Sequence, residues 1–344
     1  MTYNQDKQKD NSIKTTLIAK TECLIRGGKM KYLVSGPVNV DKIYPLIQGK
    51  YGAPKTEIGG GGIYAASAIK LWDERCMPVV YVGADYCKYY DPWLRRNGFD
   101  TEGFVAAFDQ TVQTQLYYQE DGRYTIGWQQ GDLGTGRAAA NIQLLQPYLN
   151  RDIKGVHLVT HGNAVFFEQL NQYRQAYHFQ VGWEINNTQE FYVDVPLLIE
   201  TVAQKYVDYF SLSYGELRGY FPDTRDITDA LQRCASWGCP VYLRNGTNGA
   251  FLICNQECWE FPMMDDFGTI DPTGCGNTST ASVFWARCEG RSPEASGLIG
   301  GITAGLNASY YGLIPHLTNE LRERCNQLLT EKLLDGTARR VKLR

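Results

Sequence analysis

The sequence has little of what marks several classes of protein. Its 34 Lys and Arg against 37 Asp and Glu leave a net charge of −3, so it lacks the basic surplus that draws a chain to nucleic acid. No run of apolar residues approaches the length needed to span a bilayer. There are only four histidines (157, 161, 178 and 316), and they show no metal-ligating spacing. Residues 1–29 are polar and Lys-rich with no apolar stretch, which is not the pattern of a secretory signal. A cytoplasmic protein is expected, with neither nucleic acid nor membrane as partner. Arg26-Gly27-Gly28 stands just before Met30, as an in-frame translation of a ribosome-binding site would read. The expectation is a native start at Met30, with 1–29 an unstructured extension.

What is present points to a large globular chain. At roughly 150 residues per domain, 344 residues make about two domains or one large α/β domain with an appendage. Hydrophobic residues at 43% supply the core. Ten cysteines without a secretion signal read as reduced thiols. Cys234/Cys239 and Cys254/Cys258 invite a zinc reading, but structural zinc sites use tighter knuckles, so ordinary buried thiols are the better reading.

After Met30, strands and helices alternate. Strands are expected at 31–36, 77–82, 155–160, 179–185, 209–212 and 241–243. Helices are expected at 63–71, 91–97, 141–148, 195–205, 226–237, 277–288 and 294–311. This order argues a mostly parallel sheet covered by helices on both faces. Val112–Gln119 and Arg123–Gln129 flank Glu120-Asp121-Gly122, a hairpin signature. With 42–58 they read as a small β appendage. The basic end 337–344 is expected to fray.

Four segments could carry chemistry. Asp271-Pro272-Thr273-Gly274-Cys275-Gly276-Asn277 runs into a helix. Its glycines can turn backbone N–H groups toward one point, and the helix N-terminus favours an anion there. Gly59–Gly62 precedes another helix, where close packing is the alternative reading. Asn39 and Asp41 follow the first strand, at the sheet edge where ligands bind in such folds, with an Asx turn as the alternative. Gly246-Thr247-Asn248-Gly249 follows a strand and reads by itself as a hairpin turn.

In order, these segments resemble the ribokinase-like (PfkB) carbohydrate kinase family over roughly Lys31 to Arg324. Gly36-Pro37-Val38-Asn39-Val40-Asp41 is similar to the first strand, whose Asn and Asp grip sugar hydroxyls. Gly59–Ala66 resembles the first glycine-rich signature, Val82–Asp85 with Leu94–Gly103 the stretch between sugar site and lid, and Asp271–Asn277 the second signature. Ser213-Tyr214-Gly215-Glu216 stands at the family's Asn-x-x-Glu, and Gly246–Gly249 at its Gly-x-x-Gly turn. The resemblance implies a kinase domain over 30–330, with lid segments near 42–58 and 104–130 and a tail at 331–344. It implies phosphorylation of a hydroxyl on a sugar or nucleoside, with ATP and Mg²⁺, and a homodimer through the lid. By that resemblance Asn39, Asp41, Gly60, Gly61, Gly62, Tyr64 and Glu184 hold the acceptor. Ser213, Glu216, Asn245, Gly246, Gly249 and Asn307 hold the nucleotide, with Glu216 organising Mg²⁺ indirectly. Asp271, Gly274, Cys275, Gly276 and Asn277 form the catalytic segment.

The departures are as informative. The family's final Asp, the general base, is Asn277 here, and an amide takes no proton at neutral pH. Loss of a positioned base costs about 10²–10⁴ in rate, although phosphoryl transfer leans mainly on positioning and charge neutralisation. Tyr64 stands for a sugar-binding Asn, Ser213 for the Asn of Asn-x-x-Glu, and Arg244-Asn245 for Thr-Leu. Glu184-Ile185-Asn186 resembles the Asp-x-Asn of sugar-acid kinases, but Thr188 replaces the Arg that often follows. The competing expectation is a pseudokinase, a sugar- or nucleotide-binding or regulatory module. A nicotinamide-binding oxidoreductase would need Gly-x-Gly-x-x-Gly after the first strand, and Gly36–Asp41 does not supply it.

Overall fold

A computed structural model describes residues 29–119, 124–128, 139–186 and 194–343. The expected 1–29 extension (save Lys29), the turn at 120–122 and position 188 lie outside them. The main sheet has nine strands. Six run parallel, in spatial order Cys76–Pro78, Tyr32–Ser35, Gly155–Thr160, Gln180–Ile185, Tyr209–Ser213 and Val241–Arg244. Ala250–Cys254, Glu257–Phe261 and Arg339–Val341 add three antiparallel strands at one edge.

The central strands are buried almost without a break, as strands covered on both faces must be. Their side chains alternate between two cores. Val156, Leu158 and Trp183 pack with Phe167, Ile199 and Leu231 on one face. Val159 packs with Ile63, Phe284 and Ile302 on the other. The second face carries the helices Gly61–Trp72, Cys275–Cys288 and Pro293–Ala308. Helix Cys275–Cys288 lies close on the sheet: a Cβ at Gly182 would fall 2.5 Å from the Phe284 ring. That contact fixes the height at which the helix presents its N-terminus above the strand ends.

A separate four-stranded sheet has the order Tyr124–Trp128, Gln113–Tyr118, Asn39–Tyr44, Lys55–Gly59. The first two of these strands pair antiparallel, as the hairpin signature requires. The middle two run parallel and place Thr114 opposite Asp41.

Two local expectations are corrected. The single strand expected over 77–82 is two: Cys76–Pro78 stays in the main sheet, and Val80–Gly83 leaves it to pair with Phe104–Phe108. The end expected to fray supplies the strand Arg339–Val341, which pairs with Cys258, Trp259 and Glu260. On an edge strand its basic side chains can face water while the backbone pairs. The Gly246–Gly249 segment is the short 3₁₀ turn joining the antiparallel strands Val241–Arg244 and Ala250–Cys254.

Candidate active site

The expected residues gather at the carboxyl ends of the parallel strands. Ser213 and Arg244 are the last residues of their strands, and Glu184 is the last but one of its own. Two polar clusters meet there.

The first cluster joins the small sheet to the first glycine loop. Asn39 Nδ2 and Thr114 Oγ1 both donate to Asp41 Oδ1, and Asn39 Nδ2 also lies 3.1 Å from Thr114 Oγ1. Tyr90 donates its hydroxyl to the Asn39 carbonyl at 2.6 Å and reaches that of Gly59 at 3.2 Å. Gly60 caps helix Gly61–Trp72 with φ 96°, and a side chain there would strike Asn39 Oδ1 and the Pro37 carbonyl. Asp41 is 3% exposed. Burial, with the nearby charge of Asp271, raises its carboxyl to about pKa 7, against the opposing hydrogen bonds from Thr114 and Asn39. The folded chain therefore holds this proton up to about pH 7, whereas an unfolded Asp releases it near pH 4. The stability tied to it is complete below about pH 4 and is lost as pH rises to about 7. Relative to the parent, Asp41→Asn is expected to be more stable at pH 8 than at pH 5 by on the order of a few kcal/mol, and so to melt relatively higher at pH 8. A melting difference unchanged between the two pH values contradicts this.

The second cluster is built on the 271–277 loop. Asp271, 2% exposed, accepts from the Thr273 N–H (3.0 Å), the Thr273 hydroxyl (2.6 Å) and the Gly312 N–H (3.2 Å). Asn307 is fully buried behind the loop and donates to the Thr273 carbonyl at 2.7 Å. That contact ties Asn307 to the loop from helix Pro293–Ala308. Gly274 caps helix Cys275–Cys288 at φ 78°, a left-handed conformation suited to glycine. The Tyr64 ring lies flat against it, with Cδ1 2.2 Å from where a Cβ would sit. Tyr64 is 2% exposed, and its hydroxyl has no hydrogen-bond partner among the described residues. Cys275 turns inward to the Ala304 carbonyl at 3.4 Å. Burial pushes its thiol up to about 12, so it is a neutral filler at physiological pH.

The two glycine loops touch: a Cβ at Gly61 would fall 3.0 Å from Asn277 Nδ2. Asn277 Nδ2 donates to Glu184 Oε1 at 3.0 Å. Arg244 reaches the same oxygen, with Nη1 at 3.2 Å, and its Nη2 lies 3.3 Å from Glu216 Oε2. Its guanidinium also covers Gly276, whose Cβ would fall 2.3 Å from Nη1. Burial works against the charge on Arg244, but Glu184 and Glu216 outweigh it and raise its pKa. Glu184 is 2% exposed. Its second oxygen has no hydrogen bond among the described residues and sits 3.8 Å from His157 Nε2.

Ser213 and Glu216 form a capping box. Ser213 Oγ accepts from the Glu216 N–H at 3.1 Å, and the Ser213 N–H donates to Glu216 Oε2 at 2.6 Å. Ser-x-x-Glu is the ordinary sequence signature of that motif. Asn245, Gly246 and Gly249 lie in the adjoining turn, where the Asn245 N–H donates to the Gly249 carbonyl at 2.8 Å. Among the described residues no group of three or more His, Cys, Asp or Glu is gathered as a metal-ligand set.

Arg244 and Thr114 were missed as functional candidates. Arg244 stood in the sequence only as a departure from Thr-Leu. Thr114 gave no signal, because the register that sets it beside Asp41 joins strands 73 residues apart. A cleft of about 530 Å³ lies elsewhere, lined by Val40, Thr56, Ile58, Trp93, Tyr310 and Tyr311 among others. It includes neither Asp41 nor the 274–277 loop. That cleft also carries Glu57, Lys88 and Arg96; what marks the candidate site instead is the meeting of the two glycine loops at the strand ends.

A scan against protein-family models finds no match to the sequence, and a search of curated proteins finds none either. Solved structures do match. Adenosine kinase from Sinorhizobium meliloti superposes with a TM-score of 0.70 at 16% identity, covering 88% of this chain and 100% of the other. Ribokinase from Arabidopsis thaliana, solved with ribose and ATP, gives 0.66 at 19% identity, over 88% and 99%. Aminoimidazole riboside kinase from Salmonella enterica, solved with its riboside and an ATP analogue, gives 0.68 at 16% identity, over 87% and 99%. The chain therefore has the ribokinase-like α/β fold over nearly nine-tenths of its length.

Proposed function

We propose that the protein is a kinase that transfers a phosphoryl group from ATP to a hydroxyl of a sugar or nucleoside. The observation that carries the reading is the meeting of two clusters at one sheet edge. A buried Asn39–Asp41–Thr114 set faces hydroxyl chemistry, and a helix N-terminal loop at Gly274–Asn277 suits a phosphate. The structural neighbours solved with ribose or a riboside beside ATP or its analogue support it.

In this reading Asn39, Asp41 and the Gly60–Gly62 turn hold the acceptor, with Tyr64 packing the space between the loops. The residues present fit the phosphates of ATP, because Gly276 has no side chain of its own and the Arg244 guanidinium lies over it at the N-terminus of helix Cys275–Cys288. Bound there, ATP supplies the phosphoryl group. The Gly274–Asn277 backbone stabilises charge on the group in transit, and the turn Asn245–Gly249 borders the nucleotide. The acceptor oxygen bonds to the γ-phosphorus, its bond to the β-phosphate oxygen breaks, and ADP leaves. The hydroxyl proton goes to Glu184, the carboxylate hydrogen-bonded to Asn277, because the amide itself cannot take it. Mg²⁺ fits less well. One oxygen of Glu216, the residue expected to organise it, is already held by the Ser213 N–H and Arg244.

One observation favours a second reading, a nucleotide- or sugar-binding module without turnover: the base position is an amide committed to Glu184. The test is ADP release by the full chain across a panel of sugars and nucleosides. Turnover with one acceptor class supports the kinase. ATP binding with no ADP release from any acceptor supports the binding module.

The same reading carries a homodimer joined through the four-stranded sheet and its short flanking hairpin. Ile47, Tyr51 and Ile126 are exposed there, and small isolated sheets gain stability by pairing. Light scattering at micromolar concentration should return twice the chain mass, and a monomer contradicts it.

A further inference from the structure

We infer that Arg244 takes the place of a divalent cation at the phosphate end of this site, so that polyphosphate binds without metal. The inference rests on the kinase reading for the identity of its ligand. Its structural ground is independent. Glu184, bonded to Asn277, and Glu216, paired with Arg244, are carboxylates beside the 274–277 loop, and left alone they would repel a phosphate. Arg244 spans both, with one nitrogen 3.2 Å from Glu184 and the other 3.3 Å from Glu216. The guanidinium lies directly over Gly276 in the first turn of helix Cys275–Cys288, where backbone N–H groups are free of intrahelical partners. Its Nε is buried and has no hydrogen bond among the described residues.

A cation bridging two carboxylates beside an anion-binding helix end is the arrangement a bound Mg²⁺ would make. Here a side chain makes it permanently. Arginine suits the task because its planar fork can hold two oxygens and still offer N–H groups to a third. The cation also occupies the carboxylates that a metal would need. Glu216 is further withdrawn by its capping box with Ser213. No change of fold is required for phosphate to bind: the anion approaches the open side of the loop and shares the guanidinium.

The experiment is calorimetric binding of tripolyphosphate, ADP and ATP to the full chain, with Mg²⁺ and with excess EDTA. The expected result is affinity that differs by less than about threefold between the two conditions, since the charge a metal would supply is already present. Three variants follow. Arg244→Lys keeps the charge but cannot span both carboxylates, and should weaken metal-free binding by about tenfold. Arg244→Met strands two carboxylates and can fail to fold. Arg244→Met with Glu184→Gln removes one of them and keeps the test open. In either Met variant, metal-free binding should disappear, and binding should become dependent on Mg²⁺ through the freed Glu216.

Wild-type binding that requires Mg²⁺, or Arg244 variants that bind metal-free polyphosphate as the parent does, overturns the inference while leaving the kinase reading intact. Metal-free, Arg244-dependent binding with no ADP release from any acceptor supports the inference and removes the kinase. No binding of any of the three probes in either condition overturns both.

Discussion

Asn277→Asp is expected to lose stability as pH rises from about 5 to about 8, and to change the rate of phosphoryl transfer by less than about tenfold. The first half follows from geometry. The Asn277 amide donates to Glu184 Oε1 at 3.0 Å, and an Asp there would set a second carboxylate against it. Two carboxylates at that distance cannot both ionise without cost, and one of their pKa values rises by about 1–3 units. The raised group holds its proton in the folded chain and releases it more readily in the unfolded one. The stability is therefore present below the unfolded value near pH 4 and is lost as pH climbs through the raised value. The loss amounts to about 1.4–4 kcal/mol at pH 8, moderated by Arg244, which lies 3.2 Å from the same oxygen. Thermal melts of parent and variant at the two pH values measure it. A difference independent of pH contradicts the contact. The second half follows from the proton's destination. If Glu184 receives it, a carboxylate at 277 adds little. A gain of about 10²–10⁴ would instead mean that the parent lacks a base, and would favour the binding module.

Gly276→Ala should abolish most nucleotide affinity, by about tenfold or more, and should lose stability too, because it unpairs the buried Glu184 carboxylate. The added methyl would fall 2.3 Å from Arg244 Nη1. The guanidinium must then move off the helix N-terminus, which both blocks the loop and breaks the bridge between Glu184 and Glu216. Gly274→Ala differs in kind. Its φ of 78° costs a residue with a Cβ about 1–2 kcal/mol, and the methyl meets the Tyr64 ring at 2.2 Å. That ring is buried on both sides, so this variant should melt markedly lower as well as bind poorly. Gly238→Ala is the control: φ 76° with nothing within 4 Å should cost strain alone and leave binding unchanged. Calorimetric titration of ATP alongside thermal melts separates the three. A Gly276→Ala protein that binds as the parent does would remove the loop from the phosphate site.

Much of the architecture was legible because the sequence repeats its own punctuation. Short apolar runs end at glycines and are followed by amphipathic stretches, and that alternation fixes a parallel sheet. Helix Val195–Lys205 has the bounds expected for it, and in the structure Asp194 caps it and Pro196 stands in its first turn. The glycine loops were legible because they must be glycine wherever a backbone approaches closely. Other features depend on register and distance, which a linear reading does not contain. The strand expected over 77–82 is split because the chain changes sheets at Val79, whose N–H still reaches the Val34 carbonyl. Arg244, Glu216, Glu184 and Asn277 come from four elements, with contacts spanning 28 and 93 residues. Only the sheet order brings them to one point. Ser213 and Glu216, expected at the nucleotide by resemblance, also form the capping box of their own helix, a role their Ser-x-x-Glu spacing carries by itself.

Hydrogen–deuterium exchange of the full chain with and without ADP tests the central claim most directly, because it reports where the nucleotide sits whether or not turnover occurs. The account predicts new protection in the 272–280 and 244–249 segments, at the loop beneath Arg244 and the turn beside it. Protection confined instead to residues 56–58 and 310–315, the walls of the 530 Å³ cleft, with none at 272–280, would contradict it.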